Sequence, residues 1–279
     1  DENSISDVKN LFRFYQVEDS WDAVLWMKGN IEDSDSILDL MDGVTQVYHC
    51  AALVSFNPAD ASKLFKVNIK GTRNLVNIAL EKGVSKFVYV SSTAALGRSS
   101  HHGFIDENSS WVDSPENTFY AKSKFSAERE VWRAAEEGLP VAIVNPCVLI
   151  GPGSLNRSSG TMFAQVLNGL NYFSKGGNAF VDVRDVSNIM IKLMLSNSVN
   201  ERFLAIGENM SFKDILTIIA VKSNKKPPGK PISKTLLNLA WRLEKIRSLI
   251  TGTPPRITSE TARAAQRTSK YSNKKIKKT

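Results

Sequence analysis

Cysteine is scarce: Cys50 and Cys147 are the two in 279 residues. Both stand in apolar, strand-like contexts, which reads as core thiols in a reducing compartment and excludes a disulfide-stapled secreted domain. Histidine is nearly as rare. His49 precedes Cys50, and His101 and His102 are adjacent. None has metal-ligand spacing with a cysteine or carboxylate partner, so no metal centre is expected. His49 reads as strand-end structure, His101 and His102 as loop. No apolar run reaches the length of a spanning helix. The opening Asp-Glu-Asn-Ser-Ile-Ser-Asp has no leader pattern, which favours a cytoplasmic chain. Internal repeats are absent, and low complexity is confined to the basic last ten residues.

The chain is long enough to bury a full core, as one large α/β domain or as one domain with a small second lobe. Charge is unevenly spread. Residues 222–279 carry 16 Lys and Arg against Glu244 and Glu260, a balance of +14, so the other 221 residues sum to −6 within the net +8. A basic lobe of this kind attracts anionic substrates, nucleic acid or an anionic membrane, or is simply a solvated face. Nucleic acid is not the expected partner.

Periodicity predicts alternating strands and helices. Residues 5–16 form an amphipathic stripe through Val8, Leu11, Phe12 and Tyr15. Ala23 to Met27 reads as a strand ended by Gly29-Asn30, Ser34 to Met41 as a helix closed by Gly43, and Val44 to Cys50 as the next strand. Lys63 to Gly83 is a long helix and Lys86 to Val90 a strand. Tyr120 to Glu137 is a helix, and Val141 to Val148 a strand leading to Pro-Gly signals. Near-continuous apolar strands alternating with helices imply a parallel sheet covered on both faces. After Gly151 the texture changes to turns and then two helical patterns, one capped by Ser211. Lys225 to Pro231 reads as a linker. The last pattern carries an apolar stripe from Leu236 to Ile250 with Trp241, Arg242, Lys245 and Arg247 beside it. It reads first as a core-packing helix, with a membrane-surface helix as the alternative.

Three side chains suggest chemistry. Tyr120 and Lys124 are four residues apart, which on a helix places them on one face. Ser92 ends the run Phe87-Val-Tyr-Val-Ser-Ser92. A phenol is a poor base near neutrality, but a nearby ammonium favours its ionised form. A serine hydroxyl can hold a carbonyl or alcohol oxygen against the same phenol. This set suits proton transfer coupled to a hydride.

With these residues in place, the chain resembles extended short-chain dehydrogenases/reductases, in the branch of dihydroflavonol-reductase-like enzymes, nucleotide-sugar epimerases and 3β-hydroxysteroid dehydrogenases. Blocks in the family's order carry the resemblance: Gly29-Asn30-Ile31, Val47 to Ala52, Asn68-Ile-Lys-Gly71-Thr72, Val90-Ser-Ser92, Tyr120 to Lys124, Asn145-Pro146 through Gly153, and Val181 to Asp185. The resemblance implies a Rossmann-like, doubly wound parallel sheet with a smaller C-terminal substrate lobe. Residues 1–150, with 178–206 returning, would bind the dinucleotide; 151–177 and 207–279 would form the lobe. Ser92, Tyr120 and Lys124 would be catalytic. Asn30 and Ile31 would lie against adenine, although the family usually has Asp at the first of these. Ala51 and Ala52 would approach the ribose and phosphates, Asn68 would order the sheet end, and Ser91 would line the cofactor. Pro146 and Val148 would flank the carboxamide, and Lys124 would also hold the nicotinamide ribose. Asn156 and Arg157 lie where the family forms its substrate pocket. Arg184 would bind substrate or would pair and cap with Asp185. The cofactor would be NAD or NADP, the substrate a small molecule and the assembly a homodimer through sheet-flanking helices.

None of the 16 glycines makes the Gly-x-x-Gly-x-x-Gly turn that cradles a pyrophosphate in this family. The first strand and that turn are therefore expected to lie outside the 279 residues, and the residue that decides NAD against NADP with them. The expected function is NAD(P)-dependent interconversion of an alcohol and a carbonyl. A nucleotide-sugar epimerase or dehydratase using the same residues, and a non-catalytic dinucleotide-binding protein, are the alternatives.

Overall fold

The computed structural model describes residues 2–97, 103–155, 158–253, 255 and 257–278. In chain order the first half comprises α1 (Glu2–Phe14), α2 (Ser34–Leu40), β1 (Gln46–His49), α3 (Ala61–Leu64), a π-helical turn Phe65–Lys70, α4 (Gly71–Glu81), β2 (Lys86–Val90), α5 (Phe119–Glu136) and β3 (Val141–Pro146). Then come β4 (Val148–Ile150), α6 (Gly160–Leu167), β5 (Tyr172–Phe173), β6 (Gly177–Asp182), α7 (Val183–Leu195) and β7 (Glu201–Ala205). The last elements are β8 (Glu208–Ser211), α8 (Phe212–Lys222), β9 (Lys230–Pro231), α9 (Lys234–Thr251) and α10 (Ser259–Ala264).

The main sheet runs β1-β2-β3-β7, all parallel. Successive side chains of a strand face opposite sides, so two cores form. Val47, Phe87, Tyr89, Val141 and Ile143 pack on one face with Val76, Ala79, Ala127 and Val131 of α4 and α5. Val88, Ala142 and Val144 pack on the other with Val186 and Leu193 of α7 and with Tyr271. Fixing both faces explains why β2 and β3 read as unbroken apolar runs.

A second sheet, β4-β6-β8, carries α6 and α8, whose Val166, Ile215, Leu216 and Ile219 close over Phe180. The expected strand 141–148 therefore divides: β3 ends at Pro146 in the main sheet, and Val148 opens β4 in the second, paired with Phe180. The basic C-terminal residues are strapped to the main sheet. Lys275 Nζ lies 2.8 Å from Glu201 and over the Phe203 ring, and donates to Arg202 O.

Three expectations need correction. Ala23 to Met27 is not a strand: no neighbouring strand among the described residues offers it a ladder, and Leu25 stays 81% exposed. Cys50 is exposed, because it lies one residue beyond the end of β1, whereas Cys147 is buried with its thiol pushed up to about 12 by burial. The stripe of α9 does not pack into a core. Leu237 is its one buried residue, and Leu239, Leu243 and Ile250 face outward.

Candidate active site

The polar residues gather where β1, β2 and β3 end. β2 stops at Val90, and Ser91 N still bonds Val144 O at 2.7 Å. Ser92 then caps the short 3-10 turn Thr93–Ala95, its Oγ accepting from Ala94 N at 3.1 Å. Its carbonyl accepts from Asn145 Nδ2 at 3.0 Å. Gly97 fixes the exit path: a Cβ there would sit 1.4 Å from the Ser110 carbonyl oxygen, so only glycine lets the two loops cross.

Thr118 starts α5 by accepting from Ala121 N at 3.0 Å. Ala121, Lys124, Ala127, Glu128, Val131 and Ala135 then recur at helical spacing on the buried face. This places Tyr120 in the first turn and Lys124 one turn deeper. Tyr120 comes to lie beside Ser92, whose hydroxyl acts on its phenol, and its ring packs edge-on to Phe56 at 5.6 Å. Lys124 is 2% exposed; its Nζ donates to Tyr89 OH at 3.0 Å and to Val90 O at 2.8 Å.

The expected depression of the Tyr120 pKa is not observed. Burial raises it, and only the neighbouring Ser92 hydroxyl opposes that rise. The reason is where the ammonium points: Lys124 is fastened to Tyr89 and a backbone carbonyl. Burial brings Lys124 itself down to about 8, with the charge of Glu128 and that of Cys50 pulling the other way.

Beneath this set lies a polar network that motif reading missed. Glu128 Oε2 accepts from Ser91 Oγ at 2.5 Å and from Asn145 Nδ2 at 2.8 Å, while Oε1 accepts from Trp132 Nε1 at 3.2 Å and lies 2.7 Å from the Arg202 guanidinium. One signal was available: Glu128 follows Lys124 by four residues, on the same buried face. His49 also belongs here. It is 2% exposed, its Nε2 is 2.9 Å from Thr72 Oγ1, and its ring lies 5.2 Å from that of Tyr89. Burial, then the Lys124 charge, brings His49 down to about 3.

That shift has a pH consequence. The unfolded chain takes up a proton near pH 6.5 that the folded chain refuses until about 3. Within that window stability falls as pH falls, by roughly 1.4 kcal/mol per pH unit from this group alone. Urea unfolding of wild type and His49→Gln at descending pH is expected to show a shallower loss in the variant. Parallel losses would remove His49 from the account.

Of the other residues singled out by sequence, Asn68 sits in the π-helical turn. Its Nδ2 reaches Leu53 O at 3.0 Å and Ser123 Oγ at 2.9 Å, and its Oδ1 accepts from Leu53 N at 2.7 Å, which fixes the segment after Ala51 and Ala52. Ala51 and Ala52 are exposed at the end of β1, and Ser91 and Pro146 are buried. Asn30 is exposed, its N bonded to Ser36 Oγ at 3.0 Å. Ile31 packs on Gly71, where a Cβ would come within 2.8 Å of it. Val148 is half-buried at the start of β4. Arg184 pairs with Asp182, not Asp185; its Nε lies 2.9 Å from Asp182 Oδ1. Asp182 also caps α7, and Arg184 holds its carboxyl below the usual range. A cleft of about 360 Å³ opens beside this pair, between 149–154, 158–160, Val183 and Asp7 of α1. Asn156 and Arg157, like His101 and His102, lie outside the described residues.

A parallel sheet wound with helices on both faces, with its polar cluster at the strand C-termini, defines the Rossmann-like class. Residues 7–207 match the NAD dependent epimerase/dehydratase family, and the chain belongs to that family. It is 35% identical over 192 residues to a "sterol demethylase protein B" of Methylococcus capsulatus, covering 67% of this chain and 58% of that protein. It is 30% identical over 233 residues to a "putative dihydroflavonol 4-reductase" of Synechocystis, covering 79% and 66%. The chain thus spans about three fifths to two thirds of the length of these curated relatives. The crystal structure of gox2253 superposes with a TM-score of 0.74 at 30% identity, over 90% of this chain and 77% of that one.

Proposed function

We propose that Ser92, Tyr120 and Lys124 are the catalytic set of an NAD(P)-dependent oxidoreductase that interconverts an alcohol and a carbonyl. The observation that carries this reading is the meeting of Ser92, at the end of β2, with Tyr120 in the first turn of α5, one helical turn from the buried Lys124 ammonium. The residues present fit the nicotinamide and ribose half of a dinucleotide: Lys124 offers a desolvated cation, and Pro146 and Val148 close the end of β3. The exposed small residues Ala51 and Ala52 leave room beside β1 for the rest. No glycine triplet for the pyrophosphate occurs among the 279 residues. When bound, the cofactor supplies or accepts the hydride. Ser92 orients the substrate oxygen, and Tyr120 gives or takes its proton. Lys124 would hold the nicotinamide ribose.

Substrate enters the crevice between the main sheet and the segments 151–177 and 207–279, at the carboxyl ends of the strands. The working compartment is the cytoplasm, and the assembly is a two-fold homodimer through α4 and α5.

Titration with NADH and NADPH, followed by cofactor fluorescence, tests the reading. Saturable binding is expected, stronger for one of the two and weakened by Lys124→Met. No binding by a folded polypeptide that also carries the glycine-rich turn would overturn it. Incubation with candidate carbonyls then separates the branches. Net loss of reduced cofactor marks a reductase, whereas tightly held oxidised cofactor with no net change marks an epimerase or dehydratase.

A further inference from the structure

The helix α9 presents an apolar face that the other described residues leave uncovered. Leu236, Leu239, Leu243, Ile246 and Ile250 are 46%, 52%, 57%, 54% and 79% exposed. At 3.6 residues per turn these five fall within an arc of about 80°. The opposite side meets the protein through Leu237, which is 7% exposed, and through half-buried Trp241. Both ends of the helix are built: Ser233 Oγ accepts from Leu236 N at 3.1 Å, and Gly252 closes it in the left-handed conformation at φ 66°. The stripe is therefore a stable outward surface and not a frayed end.

We propose that α9 docks this protein on the surface of an anionic lipid bilayer. One flank of the stripe is basic. Arg242 is exposed, lies over the Trp241 ring at 4.9 Å and donates to Asn238 O, and Lys245 is exposed on the same flank. An in-plane helix of this design sinks its aliphatic row into the acyl boundary while its cations stay among headgroups. No described helix is long and apolar enough to cross a membrane, so α9 lies on the surface. Charge chooses among the occupants. A second copy would bring two α9 helices face to face, each carrying Lys234, Arg242, Lys245 and Arg247 against Glu244 alone. Nucleic acid would satisfy the cations but not a row of five aliphatic side chains. An anionic lipid surface satisfies both. This inference is independent of the catalytic reading.

Flotation of the purified chain with vesicles of phosphatidylcholine alone, and with phosphatidylserine added, tests the proposal. Binding is expected only with the anionic lipid and is expected to weaken at high salt. Leu239→Glu with Leu243→Glu should abolish it; both positions are more than half exposed, so the fold is retained and thermal melting checks this. Arg242→Gln with Lys245→Gln should weaken partitioning roughly fivefold per charge removed. Absence of flotation with anionic vesicles overturns the proposal, as does binding insensitive to the Leu239 and Leu243 changes. Light scattering that shows a dimer split by those changes, without vesicle binding, would assign the stripe to a second copy and also overturn it.

Discussion

Replacing Tyr120 by Phe is expected to lower turnover by about two to four orders of magnitude while leaving cofactor affinity nearly unchanged, since a positioned acid or base contributes about that much. The phenyl ring keeps its edge-on contact with Phe56, so only the hydroxyl beside Ser92 is lost. Loss of one such polar group costs about 1 kcal/mol, too little to unfold the chain. The raised pKa sets the form in which Tyr120 rests. At neutral pH Tyr120 is a phenol, poised to give a proton to a carbonyl oxygen as the hydride arrives. Reduction should therefore hold through neutral pH and fall on the alkaline side, and oxidation should rise there. The checks are paired rate and fluorescence titrations of wild type and variant across pH. Turnover at ordinary rates in Tyr120→Phe would sink the mechanism.

The sequence made some parts of this site legible and hid others for definite reasons. β2 and β3 are buried on both faces, so their composition alone marks them as central parallel strands. The spacing of Tyr120 and Lys124 follows from helix geometry. Direction is what spacing cannot give. Lys124 shares a face with Tyr120, yet its ammonium turns to Tyr89 OH and Val90 O, which reverses the expected shift of the phenol. Ala23 to Met27 has strand composition, but a strand exists only with a partner, and composition does not report the partner. α9 shows the same limit. Its apolar row is periodic whether it faces a core or the outside, and only the packing of Leu237 on the opposite side decides. The sequence offers Arg184 a partner in Asp185, whereas the cap geometry of α7 delivers Asp182.

Glu128→Ala is expected to destabilise the fold by roughly 3–5 kcal/mol, the range for removing one partner of a buried ion pair. Its side chain is 3% exposed and serves four donors: Ser91, Asn145, Trp132 and Arg202. Alanine leaves the Arg202 guanidinium, 22% exposed, without its carboxylate, and the Ser91 hydroxyl without its acceptor. Glu128→Gln keeps an acceptor but not the charge, and a loss nearer 1–3 kcal/mol is expected. A double-mutant cycle with Arg202→Ala isolates the pair, because the two residues touch and their effects should not add. The same carboxylate helps keep the Lys124 ammonium protonated. Its removal should therefore push Lys124 further below about 8, a shift readable by NMR of the lysine side chain without any turnover. Asn145 sharpens the argument, since its Nδ2 joins Glu128 to the Ser92 carbonyl while its Oδ1 has no partner among the described residues. Slackening this joint should let the Ser92 turn move, so that Glu128→Gln lowers kcat more than it raises KM. A loss below about 1 kcal/mol in Glu128→Ala, with Lys124 unshifted, would show that the network neither supports the strand ends nor tunes the lysine.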